Sequence, residues 1–292
     1  MTGARGRALR DGLTIAGLLF AAYLFLITAP QTQTVGFDAF AYWAMNIEHP
    51  YTQAAGALGA FTYTPVAARL FAPAALLSWP SFLFLWLALL VGTLLWLGWR
   101  RSLMLLALPF VSIELYHGNI HLLMAAAIAL GFRYPAAWAF ITLTKVTPGV
   151  GLLWFAVRRE WRQLAIALGA TAAIAAVSFV IDSRLWFEWL NGAIVRVAVE
   201  GVGQPTLPLP LALRVPAAAV LVTWGALTNR KWTVPAAAAL ALPVPWFSGL
   251  AILACLPALN RPELQPKAAE RSMTTSVSTA PSSTPAAAEG AR

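Results

Sequence analysis

Asp38 is the residue whose type and position best suit it to do chemistry. It lies in the stretch Gly36-Phe37-Asp38, which follows the first long apolar run of the chain. A carboxylate in an outward-facing loop at the membrane surface can act as a general base and take a proton from a hydroxyl group. An Asp that precedes an apolar-periodic run, here Ala39 to Ile47, is also a good helix N-cap. From this stretch alone both interpretations stay open.

Lys145 is the second residue with chemical potential. It interrupts two apolar runs within Thr144-Lys145-Val146-Thr147-Pro148. A lysine at membrane depth is costly unless it contacts a cavity or a partner. It can bind a phosphate as a mobile point charge, or its side chain can extend to the lipid headgroups. Arg214, in the outer half of a later apolar run, raises the same question more weakly because it can reach the headgroups easily.

Two histidines raise the question of a metal site. His117 and His121 are four residues apart, and this spacing would put both rings on one face of a continuous helix. No third ligand follows at a suitable spacing. We therefore expect polar residues that line a cavity, and we predict neither a metal nor a cofactor.

The composition predicts an all-α polytopic membrane protein. Of the 292 residues, 60% are hydrophobic and only 11% are charged, whereas soluble domains carry roughly 25% charged residues. The net charge of +9 comes from short basic clusters between apolar runs. Such clusters are typical of topology signals and of contacts with anionic headgroups, so nucleic acid is not an expected partner. The single cysteine, Cys255, excludes a disulfide within the chain.

The lengths of the apolar runs predict about ten transmembrane or broken helices. Several runs between residues 103 and 157 have only about 9 to 13 residues, whereas a full crossing needs about 20. Basic residues flank their inner ends, so the missing length lies on the outer side. Irregular backbone at that depth requires burial or a water-filled cavity. We therefore predict an outward-facing cavity, with helix breaks at residues 114–121 and 144–148 as its floor.

The distribution of charge predicts the topology. If Lys and Arg stay inside, both termini are cytoplasmic and the protein lies in the plasma membrane. Residues 1–259 then form the membrane domain, and residues 260–292, rich in Ser, Thr, Ala and Pro, form a disordered cytoplasmic tail. Six acidic residues fall on the outer side without having been used to set the topology: Asp38, Glu48, Glu114, Asp182, Glu188 and Glu200.

Five motifs, in their order along residues 11–259, resemble glycosyltransferase family 87, whose members have the polytopic C-type glycosyltransferase architecture. The motifs are Gly36-Phe37-Asp38-x-x-x-Tyr42, Phe61-Thr62-Tyr63-Thr64-Pro65, Gly118-Asn119-Ile120-His121-Leu122-Leu123, Lys145-Val146-Thr147-Pro148 and Pro243-Val244-Pro245-Trp246. This sequence departs from the family in two places. The third motif commonly reads Gly-Gln-x-Asn, and the last motif commonly has an acid or a histidine soon after its Trp, where Phe247-Ser248-Gly249 stands here.

The resemblance implies transfer of a hexose, often mannose, from a polyprenyl-phosphate donor to a glycan or glycolipid acceptor. It implies that Asp38 is the catalytic base, and Lys145 becomes the candidate for the donor phosphate. The remaining candidates for lining the cavity or binding substrate are Tyr42, Tyr63, His117, Asn119, His121 and Trp246. Two other classes stay open as alternatives: a transporter or lipid flippase, and a non-catalytic membrane scaffold.

The predicted topology can be tested by cysteine labelling after Cys255 is replaced. Single cysteines at Ala39 and Gly203 should react with a membrane-impermeant reagent from outside. A cysteine at Ser283 should react only after permeabilisation. External labelling at Ser283 would contradict the ten-pass topology.

Overall fold

The computed structural model describes residues 3–54, 56–194 and 209–264, and within them the chain is all-α. Thirteen helices occur in this part: α1 Ala4–Thr32, α2 Phe37–Ala44, α3 Pro65–Phe71, α4 Trp79–Gly98, α5 Ser102–Leu106, α6 Pro109–His117, α7 His121–Gly131, α8 Trp138–Thr144, α9 Leu153–Val157, α10 Trp161–Ile181, α11 Ser183–Glu188, α12 Leu211–Leu227 and α13 Thr233–Leu240. The main 3₁₀ segments are Thr147–Leu152 and Phe247–Cys255.

Three helical stretches are long and apolar enough to cross a bilayer. They are α1, the continuous stretch Trp79–Leu106 and α10, with 29, 28 and 21 residues. At a rise of 1.5 Å per residue, about 20 residues span the hydrocarbon core. The outer surface of α10 carries exposed Val and Ile side chains that suit contact with lipid. Together with the shorter apolar helices, these spans make the chain a multi-pass membrane protein.

The helices α6 and α7 form a broken pair that bends by 115°. The break itself is Gly118–Ile120, shorter than the predicted interval of residues 114–121. Gly118 has a φ of +67°, and a Cβ added to it would lie 2.8 Å from the Cβ of Ala39 in α2. Both the left-handed backbone and this close approach require glycine. If the pair counts as one span, the described residues contain four candidate spans.

The predicted break at residues 144–148 is confirmed, and a third break follows α13. The helix α8 ends at Thr144, and the 3₁₀ segment Thr147–Leu152 follows Lys145. The helix α13 ends at Leu240, and the chain re-enters as the 3₁₀ segment Phe247–Cys255. The prolines in these connections lack the N–H that a continuous helix needs, which explains why the helices stop there.

The capping hypothesis for Asp38 is wrong. The N-cap of α2 is Gly36, no side chain caps this helix, and Asp38 is its second residue. The N–H of Gly36 donates to the carbonyl of Tyr116 at 2.8 Å, which joins the start of α2 to the end of α6. The Asp38 carboxylate is therefore free of a capping role. Because Ala39 is fully buried, the exposed Gln53 is the better outer position for cysteine labelling.

Arg214 is buried, so the expectation that it reaches the headgroups is wrong. Only 2% of its surface is exposed. Its guanidinium donates to four carbonyl groups, those of Leu209, Leu240, Leu242 and Pro243, at 2.6 to 3.0 Å. Carbonyl groups at a helix end lack partners within the helix. Arg214 therefore ties α12 to the end of α13 and to the connection that follows it.

The C-terminal side of the described chain extends beyond the predicted domain boundary at residue 259. Pro262–Leu264 forms a 3₁₀ turn, and Leu264 is buried. The rest of the predicted tail, residues 265–292, lies outside the described residues, as does the predicted outer residue Glu200.

We expect Arg214→Met to lower the stability of the protein. Each buried carbonyl left without a donor costs about 1–3 kcal/mol, and methionine keeps most of the side-chain volume. Thermal unfolding in detergent should show a clear fall in the midpoint temperature for this variant. The exposed Arg162 provides the control, and Arg162→Met should unfold like the wild type. Equal midpoints for both variants would contradict the role of Arg214.

Candidate functional site

The carboxylate of Asp38 is held by one neutral donor and faces one imidazole. The Nδ2 of Asn119 donates to Oδ2 of Asp38 at 2.7 Å, and the Nδ1 of His117 lies 3.9 Å from the same oxygen. Burial raises the pKa of Asp38, while His117 and the Asn119 hydrogen bond lower it. The side chain is still 30% exposed. Asp38 thus has a fixed orientation and a surface that a substrate hydroxyl can reach.

Asn119 connects Asp38 to two buried tyrosines. Its Oδ1 accepts from the backbone N–H of Ile120 at 2.7 Å and from the hydroxyl groups of Tyr42 and Tyr63 at 3.3 and 3.5 Å. The two hydroxyl groups are 2.9 Å apart. Because a carboxylate only accepts hydrogen bonds, the amide nitrogen of Asn119 must point to Asp38. Burial raises the pKa of Tyr42 and of Tyr63, so both stay neutral.

A second line of polar contacts leads to Lys145. The Nζ of Lys145 lies 2.7 Å from Nε2 of His121, and Nδ1 of His121 lies 2.9 Å from Oε2 of Glu114. The other carboxylate oxygen of Glu114 accepts from the backbone N–H groups of His121 and Leu122 at 2.6 and 3.3 Å. The ammonium of Lys145 is therefore bonded inside the protein, which argues against its extension to the headgroups.

The two lines of contacts meet at Tyr63. Its ring centroid lies 5.5 Å from Nζ of Lys145, within the range of a cation–π contact. Its hydroxyl group belongs to the network around Asn119 and Asp38. Four separate segments thus bring a carboxylate and an ammonium into one cluster. This arrangement has the two charges needed to take a proton from one reactant and to bind an anionic part of another.

Of the residues that the sequence predicts for the site, Trp246 is the one that stays apart. It is 40% exposed, and among the described residues its indole makes no hydrogen bond or ring contact with the other candidates. The backbone just beyond it does approach the cluster, because a Cβ added to Gly249 would lie 3.9 Å from Nε2 of His121. Seven of the eight predicted residues belong to the cluster: Asp38, Tyr42, Tyr63, His117, Asn119, His121 and Lys145.

The two histidines do not lie on one face of a continuous helix, which was the premise of the metal alternative. The break at Gly118 puts His117 in α6 and His121 in α7. His117 faces Asp38, whereas His121 bonds to Glu114 and Lys145. Within residues 3–54, 56–194 and 209–264, no group of three potential ligands could hold a metal ion.

Glu114 is the residue that the sequence analysis did not assign to the site. Its side chain is completely buried, and it bonds to both the backbone and the side chain of His121. The sequence does contain a signal for Glu114, because it is an acidic residue inside an apolar run. A charge is expensive there, so such a residue is a candidate for a functional site. The sequence spacing of Glu114 and His121 does not predict their hydrogen bond. The bend between α6 and α7 brings the two side chains together.

The comparisons with known proteins give one match. The family model described as Glycosyltransferase family 87 matches residues 61–263. This stretch includes Asn119, His121 and Lys145, and it begins after Asp38 and Tyr42. Comparison with curated proteins and with solved structures gave no match.

Proposed function

Because the chain belongs to glycosyltransferase family 87, we propose that it transfers a hexose, with mannose as the first candidate, from a polyprenyl-phosphate donor to a glycan or glycolipid acceptor. Membership in the family implies glycosyl transfer. The observation that carries the proposal is the cluster that contains both the Asp38 carboxylate and the Lys145 ammonium. The apolar spans suit a donor that is itself a membrane lipid.

In the proposed reaction Asp38 is the general base. Its carboxylate removes the proton from the acceptor hydroxyl as that oxygen forms a bond to the anomeric carbon of the donor sugar. The bond between the anomeric carbon and the phosphate oxygen breaks at the same time, and its electron pair leaves with the polyprenyl phosphate. The Asn119 amide keeps the carboxylate oriented for this step, because its Nδ2 donates a hydrogen bond to Oδ2 of Asp38.

Lys145 is proposed to bind the phosphate of the donor. A cation near the leaving oxygen stabilises the negative charge that develops there. The Lys145 side chain is partly exposed, and an ammonium has three donors, of which His121 takes one. The proposed reaction therefore uses one base, Asp38, and one cation, Lys145. Its atoms and charges balance with the donor and the acceptor as the two reactants.

The proposed location of the reaction is the outer face of the plasma membrane. The support is the separation of charge in the sequence: basic clusters flank one end of the apolar runs, and acidic residues including Asp38 lie at the other. About ten passes, with both termini in the cytoplasm, accommodate this separation. The cluster around Asp38 then faces a lipid-linked donor and an acceptor on the same side.

Asp38→Asn should reduce transfer by roughly 10²–10⁴-fold, the usual contribution of a general base. The amide keeps the size of the side chain but cannot accept the proton. The measurement is transfer from a labelled polyprenyl-phosphate hexose to acceptor by purified protein. The matched control is Asp182→Asn, because Asp182 also lies at the start of a short helix but outside the cluster. Wild-type transfer by Asp38→Asn would remove Asp38 from the mechanism.

The rate of transfer should also depend on pH, and it should fall on the acidic side. A general base acts only when it is deprotonated, and burial raises the pKa of Asp38. Transfer should therefore fall as the pH drops through this raised pKa, at a higher pH than for an exposed Asp. The residual activity of Asp38→Asn should lack this acidic limb. A wild-type rate that does not change across the acidic range would contradict the assignment.

Lys145→Gln should weaken donor binding or slow transfer, because a full positive charge is lost beside the phosphate. Lys145→Arg should do partial harm, since a planar guanidinium does not reproduce a compact ammonium. Donor titrations at saturating acceptor separate the two effects. The control Lys231→Gln removes a lysine outside the cluster and should leave donor kinetics unchanged. Wild-type kinetics in Lys145→Gln would exclude Lys145 from the donor site.

A further inference from the structure

The proposed reaction assigns no function to the buried pair Glu114 and His121. The contacts of these two residues indicate one. Neither side chain has access to solvent: 0% of Glu114 and 1% of His121 are exposed. They cannot touch a substrate directly. Within the part of the chain that the structure describes, the side-chain contact that links them to the proposed reaction is with Lys145, whose ammonium is 2.7 Å from Nε2 of His121.

The carboxyl group of Glu114 is anchored by the backbone at the break. Its Oε1 accepts from the N–H groups of His121 and Leu122, two of the groups that have no partner within α7. Carboxylates are favourable at a helix N-terminus because they complement the positive end of the helix dipole. The second oxygen, Oε2, is left for the ring of His121 at 2.9 Å. One carboxylate thus satisfies the backbone and also orients the imidazole.

The direction of the hydrogen bonds fixes the tautomer of His121. An ammonium can only donate, so Nε2 of His121 must accept from Lys145. Its Nδ1 then carries the proton and donates to Oε2 of Glu114. The imidazole is neutral in this arrangement and connects a buried carboxyl group to the partly exposed Lys145. Two N–H groups of Lys145 remain for an anionic ligand.

We propose that Glu114 and His121 are positioning residues that keep the Lys145 ammonium oriented for the phosphate of the donor. The proposal rests on the proposed function, in which Lys145 binds that phosphate. Glu114 sets the tautomer of His121, His121 holds one N–H of Lys145, and the Tyr63 ring lies beside the ammonium. Without this line of contacts, the flexible lysine side chain is free to extend away from the site.

The variant Glu114→Gln tests the tautomer directly. The glutamine oxygen can still accept from the backbone N–H groups at the break. Its NH₂ group, however, donates to Nδ1 of His121 and forces the proton onto Nε2, where an N–H then opposes the ammonium. The variant therefore keeps the backbone contacts and removes the acceptor for Lys145.

The experiment is a double-mutant cycle on the binding of a polyprenyl phosphate without sugar to purified protein in detergent. Glu114→Gln and Lys145→Gln should each weaken binding by roughly tenfold or more, the cost of disrupting a buried charge-assisted contact. The double variant should bind no more weakly than Lys145→Gln alone. Multiplied losses in the double variant, or wild-type binding by Glu114→Gln, would overturn the proposal. The exposed Glu48 supplies the control, Glu48→Gln, which should bind like the wild type.

A second pair of variants keeps the test valid if Glu114→Gln does not fold. His121→Leu removes the acceptor for Lys145, whereas His121→Gln retains an amide oxygen that can accept from it. The glutamine variant should bind polyprenyl phosphate more tightly than the leucine variant, and in the Lys145→Gln background the two should bind equally. Equal binding by both in the presence of Lys145 would contradict the role of His121. If the wild type binds no polyprenyl phosphate, the donor class itself fails; normal wild-type binding with unaffected variants overturns only the positioning role.

Discussion

The backbone of the break between α6 and α7 needs hydrogen-bond partners from the protein or from water, because lipid offers none. The N–H groups of Gly118 and Asn119 donate to the carbonyl of Glu114 at 2.9 and 3.2 Å. The carbonyl of Gly118 accepts from the indole of Trp86 at 2.7 Å. The Glu114 carboxylate serves the first N–H groups of α7. The Glu114 side chain that satisfies this break also bonds to His121 in the candidate site, so stability and chemistry depend on the same residue.

Asp38 and Lys145, the acid and the cation of the candidate site, do not contact each other directly. Among the described residues no ion pair joins Asp38 to Lys145. Neutral groups lie between them in the network, namely Asn119, Tyr42 and Tyr63. A direct ion pair would satisfy each charge with the other and leave little for a substrate. This separation suits the proposed reaction, in which the carboxylate accepts a proton while the ammonium binds a phosphate.

Much of the fold was predictable from the sequence, and the reasons are specific. Long apolar runs, basic clusters and prolines predicted the spans and the helix breaks, because length and solvation dictate them. Lys145 stood out as a charge where charge is expensive, and Asp38 stood out as a carboxylate in a predicted outer loop. The contacts among Glu114, His121 and Lys145 were not predictable, since they depend on a 115° bend that no periodicity encodes. Arg214 was misjudged because three of its four carbonyl partners come from α13 and the connection after it, and only folding brings them to the guanidinium.

The hydrogen bond between Asp38 and Asn119 joins residues that are 81 positions apart in the chain. At a synthesis rate of about 5–20 residues per second, Asp38 leaves the ribosome roughly 4–16 s before its partner. During that interval α1 can insert, but α2 has neither the Ala39 contact with Gly118 nor the Gly36 bond to Tyr116. The helix that carries the acid, α2, therefore completes its docking only after Tyr116 and Gly118 have been synthesised. A nascent chain arrested before residue 118 would hold Asp38 in a segment that has not yet acquired its final surroundings.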